Sequence, residues 1–494
     1  MGNKGKVTIF ICLIISSMLL VFTTIGKILN LYSARQKVAM CGRIALSNVR
    51  SEYNRYVFDN YHILLFDLNC QGKGEGALEK QMETELQGNL GKKFVVEEAA
   101  ITDYVTPVDN SCAGFKEQIA GYMVYAAVES GADAILDSTG GDDGTLSTEL
   151  ENQLEEDSHS KFTDETADRE KSKTTPGNNG RMENSEENEN YESETDVTLL
   201  SRAEDPRNVT TNVDKLGILY FVIPEGMDVS GSTCNKSGLP SMISGGNTKP
   251  EFKINCKFDD YEGFRSELDS CGGWGDDVVN GALGIFYANK VFNCATDKLQ
   301  ENSVFVYERE YLICGRESDY KNLEGVITKI AGIRLPVNYS YLMSSTEKLG
   351  KIRNISVPIS LTTGVPEPIL KHLIGGCWAY VEGLAEIRGL LTGKKLAFKK
   401  NSGNWVTDLS DLCNSMYGEC KEAENGLTYE DYLTVLMALT PEETLHLRML
   451  DIIQLNAGKN GEDIDIVKSG MELSVNYRVK YGDEYISYNM TTGY

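Results

Sequence analysis

The four histidines of this 494-residue chain are the first side chains to consider for chemistry, because histidine is the commonest general base at neutral pH. They are His62, His159, His372 and His446. None has a second ligand at the spacing of a known zinc motif, and H-E-x-x-H does not occur. The histidines therefore predict neither a metal centre nor a catalytic dyad.

Carboxylate pairs and phosphate-binding loops offer no stronger signal. Asp276 with Asp277, and Asp463 with Asp465, could act as acid and base or hold a cation, but 73 acidic residues make such pairs common by chance. G-x-S-x-G is absent, and Gly389–Lys395 (GLLTGKK) matches only part of a phosphate loop, at a predicted helix end. The sequence thus predicts a protein without catalytic activity, cofactor or metal. A surface hydrolase that uses scattered carboxylates is the alternative.

Twelve cysteines occur, one of which, Cys12, lies within an apolar N-terminal segment. No C-x-x-C pair is present, which argues against a zinc knuckle or a thioredoxin-like redox site. Three pairs could close small loops, namely Cys413–Cys420, Cys256–Cys271 and Cys294–Cys314. Spacing alone assigns no bridge, and scattered buried thiols are the simpler interpretation.

The formal charge of −25 is concentrated in one stretch. Between Asp142 and Asp205 there are about 20 acidic and about 6 basic residues. An acidic chain without a basic groove repels polyphosphate, so nucleic acid is not a predicted partner. Residues 137–212 also have very few large apolar side chains and cannot bury enough surface to offset the entropy of ordering. They are predicted to be a disordered acidic insert.

Residues 7–25 form an uncharged apolar run, which at about 1.5 Å per residue just crosses a hydrocarbon core of about 30 Å. Its serine and threonine hydroxyls can bond back to helix carbonyls. No small-residue cleavage site follows, so a retained single-pass anchor is predicted, with a cleaved signal peptide or a buried helix as alternatives. The residues assigned to lipid contact are Val7, Phe10, Leu13, Ile14, Leu19, Leu20 and Phe22.

The helical pattern continues beyond the anchor as an amphipathic stretch. Its apolar stripe is predicted to contact a soluble domain or a neighbouring copy of the chain. The residues assigned to this contact face are Leu31, Val38, Ala45, Val49, Tyr53 and Tyr56.

Four segments follow from these patterns. Residues 1–26 are a short tail and transmembrane anchor, and residues 27–136 are a long helix plus a small α+β unit. Residues 137–212 are the acidic insert, and residues 213–494 are an α+β body that is rich in helix from about residue 318. The predicted fold class is therefore α+β: a transmembrane helix that continues into an amphipathic helix, a mixed soluble body and a C-terminal β-hairpin.

Local patterns predict the elements of the first half. Residues 62–68 (HILLFDL) favour a buried strand, residues 94–104 a second strand, and residues 112–130 a helix that ends at Gly131. Residues 216–224 (LGILYFVIP) favour an interior strand. The glycine- and serine-rich stretch after it predicts loops with short strands.

The second half of the chain has clearer signals for where helices and strands begin and end. Helices are predicted from Asp319 to a stop at Pro336, and from Pro366 to Gly393 with Trp378, Val381, Leu384, Ile387 and Leu391 on one face. Thr440-Pro441-Glu442-Glu443 predicts a capping box that opens another helix. Alternating residues 473–481, a Gly482-Asp483 turn and a return strand predict the hairpin.

Several blocks of the chain together resemble an uncharacterised domain-of-unknown-function family of membrane-anchored proteins from anaerobic Gram-positive bacteria. They are GKVTIF (5–10), LYSARQKVAMCGRIALSNVRSEYNRYVFDNYHILLFD (31–67), YEREYLICGRESDYKNLEGVITKIAGIR (307–334), WAYVEGLAEIRGLLTGKKLAF (378–398), TYEDYLTVLMAL (428–439) and LRMLDIIQLN (447–456). The match spans most of the chain except the acidic insert and says almost nothing about function.

The N-terminal quarter resembles the minor pseudopilins of tight-adherence (Tad) pilus systems: a short basic tail, a spanning helix, and a Ser-Ala-Arg segment that continues it. The resemblance implies an extracytoplasmic body beside a pilus-assembly or secretion machine, although the positive-inside rule, counted literally, favours a cytoplasmic body. One departure stands out. If Gly5 were a prepilin processing site, the fifth residue after it would be Phe10, where shaft-forming pilins usually have Glu, which argues against incorporation into a filament.

These inferences predict a non-catalytic, single-pass protein of the cell membrane with an extracytoplasmic body. Its predicted partners are the lipid bilayer and other pilus or secretion components, or a second copy bound through the N-terminal helix. An extracellular adhesin or sensor with a pseudopilin-like anchor is a further alternative.

Overall fold

The structure, a computed structural model, describes residues 3–70, 74–129, 213, 215–242, 276–415 and 417–494. Its helices and C-terminal strand pair confirm the predicted α+β class. The predicted acidic insert, residues 137–212, lies outside the described residues.

The elements are as follows. The first part of the chain contains α1 (Asn3–Ser51), α2 (Arg55–Tyr61), β1 (Phe66–Asp67), α3 (Glu75–Leu90), β2 (Phe94–Val105) and α4 (Asp109–Glu129). The second part contains α5 (Leu219–Val222), α6 (Asp276–Val291), α7 (Glu308–Cys314), α8 (Asp319–Ser344), α9 (Thr346–Thr363), α10 (Glu367–Leu391), α11 (Leu412–Ser415), α12 (Tyr429–Ala438) and α13 (Glu442–Lys459). It ends with β3 (Ser469–Gly470), β4 (Glu472–Tyr481) and β5 (Glu484–Gly493).

The main sheet is antiparallel, with strand order β2-β4-β5. The β4–β5 pair is the predicted hairpin, turned by Gly482 and Asp483, and its core-side pairs are Val475–Met490, Tyr477–Tyr488 and Val479–Ile486. Because β2 pairs with β4, the sheet joins strands from both sides of the predicted insert. The shorter strands β1 and β3 form a separate pair.

One hydrophobic core lies between this sheet and two helices. Helix α3 contributes side chains at every fourth position, Leu78, Met82, Leu86 and Leu90, all buried. They pack with Val38 and Val49 of α1 and with the core side of β4. We call residues 34–51 of α1, α3, β2, β4 and β5 together the sheet module.

A second core is built by helices and includes side chains from α2, α4 to α10, α12 and α13. We call this unit the helical body. At its centre α10 packs against α8 and α9, and the predicted face of α10 is buried throughout. Helix α10 ends at Leu391, and Gly393 adopts a φ of +81°, as expected of a glycine that stops a helix.

Two predictions in the helical body are wrong. Residues 216–224 contain the short helix α5 rather than a strand, because periodicity cannot distinguish a helix from a strand in a short continuous apolar run. Helix α8 continues through Pro336 to Ser344. An internal proline costs about 3 kcal/mol, and burial of Asn338 and Leu342 in the following turns offsets that cost.

Other boundaries also differ from the predictions. The predicted strand at 62–68 is reduced to β1, and the stretch predicted as loops includes α6 and α7. The Thr440 capping box is absent: α13 begins after Pro441 without a side-chain cap, because the Thr440 hydroxyl donates backwards to the Leu436 carbonyl. A complete capping box occurs instead at Thr428 and Asp431, where α12 begins.

Candidate functional site

The first half of α1 is an exposed apolar helix. All seven residues assigned to lipid contact are exposed, from 42% for Ile14 to 68% for Leu20. Among the described residues, α1 is the one helix long and apolar enough to span a membrane, although a secretion signal near the N-terminus would share those properties. A run of large apolar side chains in water is unfavourable, so this half of α1 fits a lipid environment.

The polar residues of this half bond within the helix, as predicted. The hydroxyls of Ser16 and Ser17 donate to the carbonyls of Leu13 and Ile14 at 3.0 and 2.9 Å. Thr23 and Thr24 both donate to the Leu20 carbonyl. All four hydroxyl hydrogens are therefore bonded within the helix, which lowers the free-energy cost of transferring this segment from water into hydrocarbon.

The second half of α1 is packed rather than exposed. Val38, Ala45 and Val49 of the predicted contact face are buried in the sheet module, and Leu31 lies at its margin, half-buried. Helix α1 ends at Ser51, so Tyr53 and Tyr56 lie beyond it; Tyr56 packs against the helical body. The structure thus brings four of the six predicted residues to one surface.

Contacts along α1 also fix its direction relative to β5. The Lys37 ammonium bonds the Leu90 carbonyl at 2.8 Å and lies over the ring of Phe94, which pairs with Tyr481 at the hairpin end of β4. Further along, a Cβ on Gly42 would lie 2.9 Å from the Met490 sulfur. The Arg50 guanidinium donates to the Gly493 carbonyl at 3.2 Å. Helix α1 and strand β5 therefore run in the same direction.

The helical body contains a cluster of four fully buried carboxylates, Glu308, Glu310, Asp319 and Asp451. Their hydrogen-bond donors lie mainly on loops. Glu308 accepts a hydrogen bond from the Asn293 amide at 2.7 Å, and Asp319 accepts from the amides of Val306 and Tyr307. Burial raises the pKa of Glu308 to about 7, and burial likewise raises that of Asp319. These carboxylates act as hydrogen-bond acceptors that fix connecting segments onto helices.

Sequence reasoning missed this cluster. The tyrosine- and glutamate-rich start of α7, YEREY at 307–311, was available as a signal, since acids next to aromatics in one short helix are rarely all exposed. The arginine within it, Arg309, bonds the Phe292 carbonyl and Asp297 rather than either glutamate.

A second polar group consists of three buried ion pairs among four residues of α8, α10 and a following loop. Arg334 binds Glu386 through two hydrogen bonds of 2.5 and 2.9 Å. Lys400 lies 2.6 Å from Glu382 and 2.8 Å from Glu386. Burial opposes ionisation of Glu386, but Arg334 and Lys400 outweigh it and lower the pKa of that carboxyl. With two cations and two carboxylates the group is balanced and structural.

The histidines are not brought together. His62 stacks on Tyr122, with ring centroids 4.1 Å apart, and His372 bonds the Tyr339 hydroxyl. His446 is fully buried: its Nδ1 donates to the Glu442 carbonyl at 2.9 Å, and burial lowers its pKa to about 4. His159 lies outside the described residues.

The remaining chemical candidates are also dispersed. Burial raises the pKa of Cys112 to about 12 and those of Cys294 and Cys420 to about 11, which keeps these thiols protonated at neutral pH. Cys294 and Cys314, one of the possible bridges, are both free. Asp465 pairs with Lys468 at 2.8 Å. Within the described residues no group of three or more histidine, cysteine or carboxylate side chains could hold a metal ion.

The comparisons with known proteins bear on the helical body. No curated protein matches the chain, and no solved structure does. A family model described as a family of unknown function, DUF5702, matches residues 199–481. This range is more than half of the chain and contains the buried carboxylates, the ion pairs and strand β4. The protein therefore belongs to the DUF5702 family.

Proposed function

We propose that this protein is a non-catalytic component of a Tad-type pilus-assembly or secretion machine, held in the cell membrane by α1 with its body outside the cytoplasm. The observation that carries the proposal is the continuity of α1. One helix of 49 residues is apolar and exposed in its first half and forms part of a folded core in its second half. A helix of this kind couples the position of a folded module rigidly to the bilayer.

The geometry sets the height of the module above the membrane. From Ile25, at the end of the apolar run, to Lys37 the helix rises about 18 Å. Lys37 lies near the hairpin turn, so the turn faces the membrane and β5 runs away from it. Between these levels α1 exposes Ile28, Leu29 and Tyr32, each more than 60% accessible. This stretch is available to another membrane component or to a second copy.

The resemblance to minor pseudopilins supports the choice of machine. A basic tail, a spanning helix and the Ser33-Ala34-Arg35 segment occur in that order, and α1 runs through all three without interruption. Phe10 in place of the usual glutamate favours an accessory role over a place in the shaft. A non-catalytic role is favoured by the engagement of the buried carboxylates in loop anchoring.

The anchor is tested by replacing Ile14 with arginine. A charge near the bilayer centre costs roughly 3 kcal/mol on insertion scales, so the variant is expected to leave the membrane fraction. Met40→Arg is the matched control, because Met40 is 65% exposed on the same helix but beyond the apolar run. Membrane retention of the Ile14→Arg variant, or release of a mature chain that lacks residues 1–26, would refute a retained anchor.

The machine and the sidedness need separate experiments. Protease added to intact protoplasts is expected to digest the body, and protection of the body would place it in the cytoplasm.

A photoreactive amino acid at Tyr32 is expected to crosslink to a membrane protein of the pilus-assembly platform. Crosslinks exclusively to lipid, or to a second copy, would argue against the Tad assignment and leave the anchor assignment intact.

A further inference from the structure

The two edges of the main sheet, formed by β2 and β5, differ in how far other parts of the chain cap their backbone groups. At the β2 edge, side chains of α3 form hydrogen bonds with backbone groups of the strand. Gln87 accepts from the Val96 amide at 2.9 Å and donates to the Phe94 carbonyl at 3.0 Å. Glu79 accepts from the Ile101 amide at 2.9 Å. The β2–β4 register is also broken at two places. Capping and irregularity of this kind block the addition of another strand.

From Tyr485 to Thr491 the β5 edge has neither protection, and a side chain of α1 reaches this edge at Gly493, whose carbonyl accepts from Arg50. All ten β5 residues pair with β4 in one unbroken register. From Tyr485 to Tyr494 the chain carries no charged side chain and no proline. A long, regular, uncharged edge strand is the kind that accepts a further strand.

The hairpin geometry identifies which backbone groups are free. In a hairpin with a two-residue turn, the pair that flanks the turn, here Tyr481 and Glu484, is hydrogen-bonded. The amides and carbonyls of every second residue, Tyr485, Ser487, Asn489 and Thr491, consequently point away from β4. Within the described part of the chain these groups have no backbone or side-chain partner, and all four residues are exposed.

A second copy of this chain does not fit this edge well. Two identical edge strands related by a twofold axis pair antiparallel. Because α1 and β5 run in the same direction, antiparallel pairing would place the two apolar segments at opposite ends of the dimer. Both could not then enter one bilayer. The exclusion of a second copy rests on the membrane anchor of the proposed function. The observation that the β5 edge is open does not depend on that anchor.

We propose that the free edge of β5 binds an extended segment of a different protein, which adds a fourth strand to the sheet. Tyr488 and Met490 lie half-buried on the core side, and Asn489 and Thr491 lie exposed on the other. Cross-strand neighbours pair by type. The segment is therefore uncharged, with aromatic or β-branched residues facing Tyr488 and Met490 and hydroxyl or amide residues on the opposite face.

The test uses the full chain in nanodiscs that hold a single copy. The probe is a fluorescein-labelled seven-residue peptide that alternates threonine with valine and tyrosine. Saturable binding is expected by fluorescence anisotropy, together with slower hydrogen exchange at the amides of Ser487, Asn489 and Thr491. The same peptide with alternate amides N-methylated is the control and is expected to bind at least about tenfold more weakly.

Asn489→Pro tests the edge from the protein side. Proline at an outward position removes one free amide and no bond to β4, so the hairpin is retained while peptide binding weakens at least about tenfold. Asn489→Ala keeps the amide and is expected to bind like wild type. Should the proline variant misfold, Ser487→Lys places a charge at the edge and is expected to weaken binding without altering the backbone.

Four results would overturn the proposal. The peptide could fail to bind, or the Asn489→Pro and Asn489→Ala variants could bind it equally. The outward amides could already exchange slowly in single-copy nanodiscs, which would mean that the chain covers its own edge. Protection confined to nanodiscs with two copies would identify a second copy as the occupant. Peptide binding can also be measured in detergent, so its failure is distinguishable from failure of the membrane anchor.

Discussion

Glu310 is the least compensated carboxylate of the helical body. One of its oxygens accepts from the Ala295 amide at 3.0 Å and from the Tyr429 hydroxyl at 2.8 Å, while the other has no hydrogen-bond partner among the described residues. Burial raises the pKa of this fully buried group to about 7. Its ionisation therefore opposes folding, and the effect grows as the pH rises from 4.5, the ordinary value, through 7.

Glu310→Gln is expected to stabilise the protein more at high pH than at low pH. For a folded pKa of about 7 against 4.5 in the unfolded chain, the charge costs about 3 kcal/mol at pH 8 and about 1 kcal/mol at pH 5.5. The free energy of unfolding of the variant, relative to wild type, should thus be about 2 kcal/mol larger at pH 8.

Denaturant unfolding at the two pH values measures this difference. His446, with its pKa lowered to about 4, destabilises the fold as the pH falls below 6.5, but this contribution is common to both proteins and cancels. Glu301→Gln removes an exposed charge nearby in the sequence and should show no comparable pH dependence. An equal shift for Glu310→Gln at both pH values would mean that Glu310 ionises as freely as a surface carboxylate.

At the scale of elements, α6 and α13 approach each other through a glycine. A Cβ built on Gly284 of α6 would lie 2.7 Å from Nε2 of His446, a fully buried ring on α13. At Gly281, one turn earlier in α6, no atom of the described residues lies within 4 Å of the same position. The absence of a side chain at Gly284 therefore permits this helix contact.

Gly284→Ala is expected to destabilise the protein by about 1–3 kcal/mol, because a rigid ring must shift in a packed core. Gly281→Ala adds the same methyl group in open space and should be neutral or stabilising by up to about 1 kcal/mol through helix propensity. Thermal unfolding of the two variants makes the comparison. Similar midpoints for both would show that the two helices do not pack at Gly284.

Elements with strong internal periodicity could be predicted from the sequence. The buried face of α10 repeats from Trp378 to Leu391, and the β4–β5 hairpin alternates on both sides of Gly482. The element type of the short apolar run at 216–224 could not be predicted, because such a run fits a helix or a strand and tertiary packing decides between them. Likewise, the Thr440 hydroxyl could either cap α13 or donate backwards, and it donates to the Leu436 carbonyl.

The same distinction applies to the candidate site. The exposed half of α1 was recognisable because a long uncharged apolar run is visible in composition alone. The buried carboxylates were not, since Glu308 and Asp319 find their partners on loops that sequence patterns do not place.

At the scale of the molecule, the sheet module is assembled from the two ends of the described chain. Strand β2 ends at Val105, and its partner β4 begins at Glu472. Local patterns predict each strand but not their pairing, because nothing in a strand of twelve residues specifies a partner so distant in sequence. Apart from α2 and the residues just after it, the helical body lies between them in sequence, and it has its own core. The two cores can therefore respond differently to a mutation.

Tyr477→Ala tests whether they do. Tyr477 is fully buried in the sheet module, in contact with Gly42 of α1 and with Met82 of α3. Removal of a buried aromatic side chain costs about 3–5 kcal/mol, so amide exchange in α3 and β2 should accelerate strongly. Exchange in α10, at the centre of the helical body, should change little.

Tyr485→Ala is the matched control, because Tyr485 is 48% exposed on the adjacent strand and its loss should cost less than about 1 kcal/mol. If α10 accelerates in parallel with α3, the two cores unfold as one cooperative unit, and the proposed anchor would then couple the bilayer to the whole protein rather than to the sheet module.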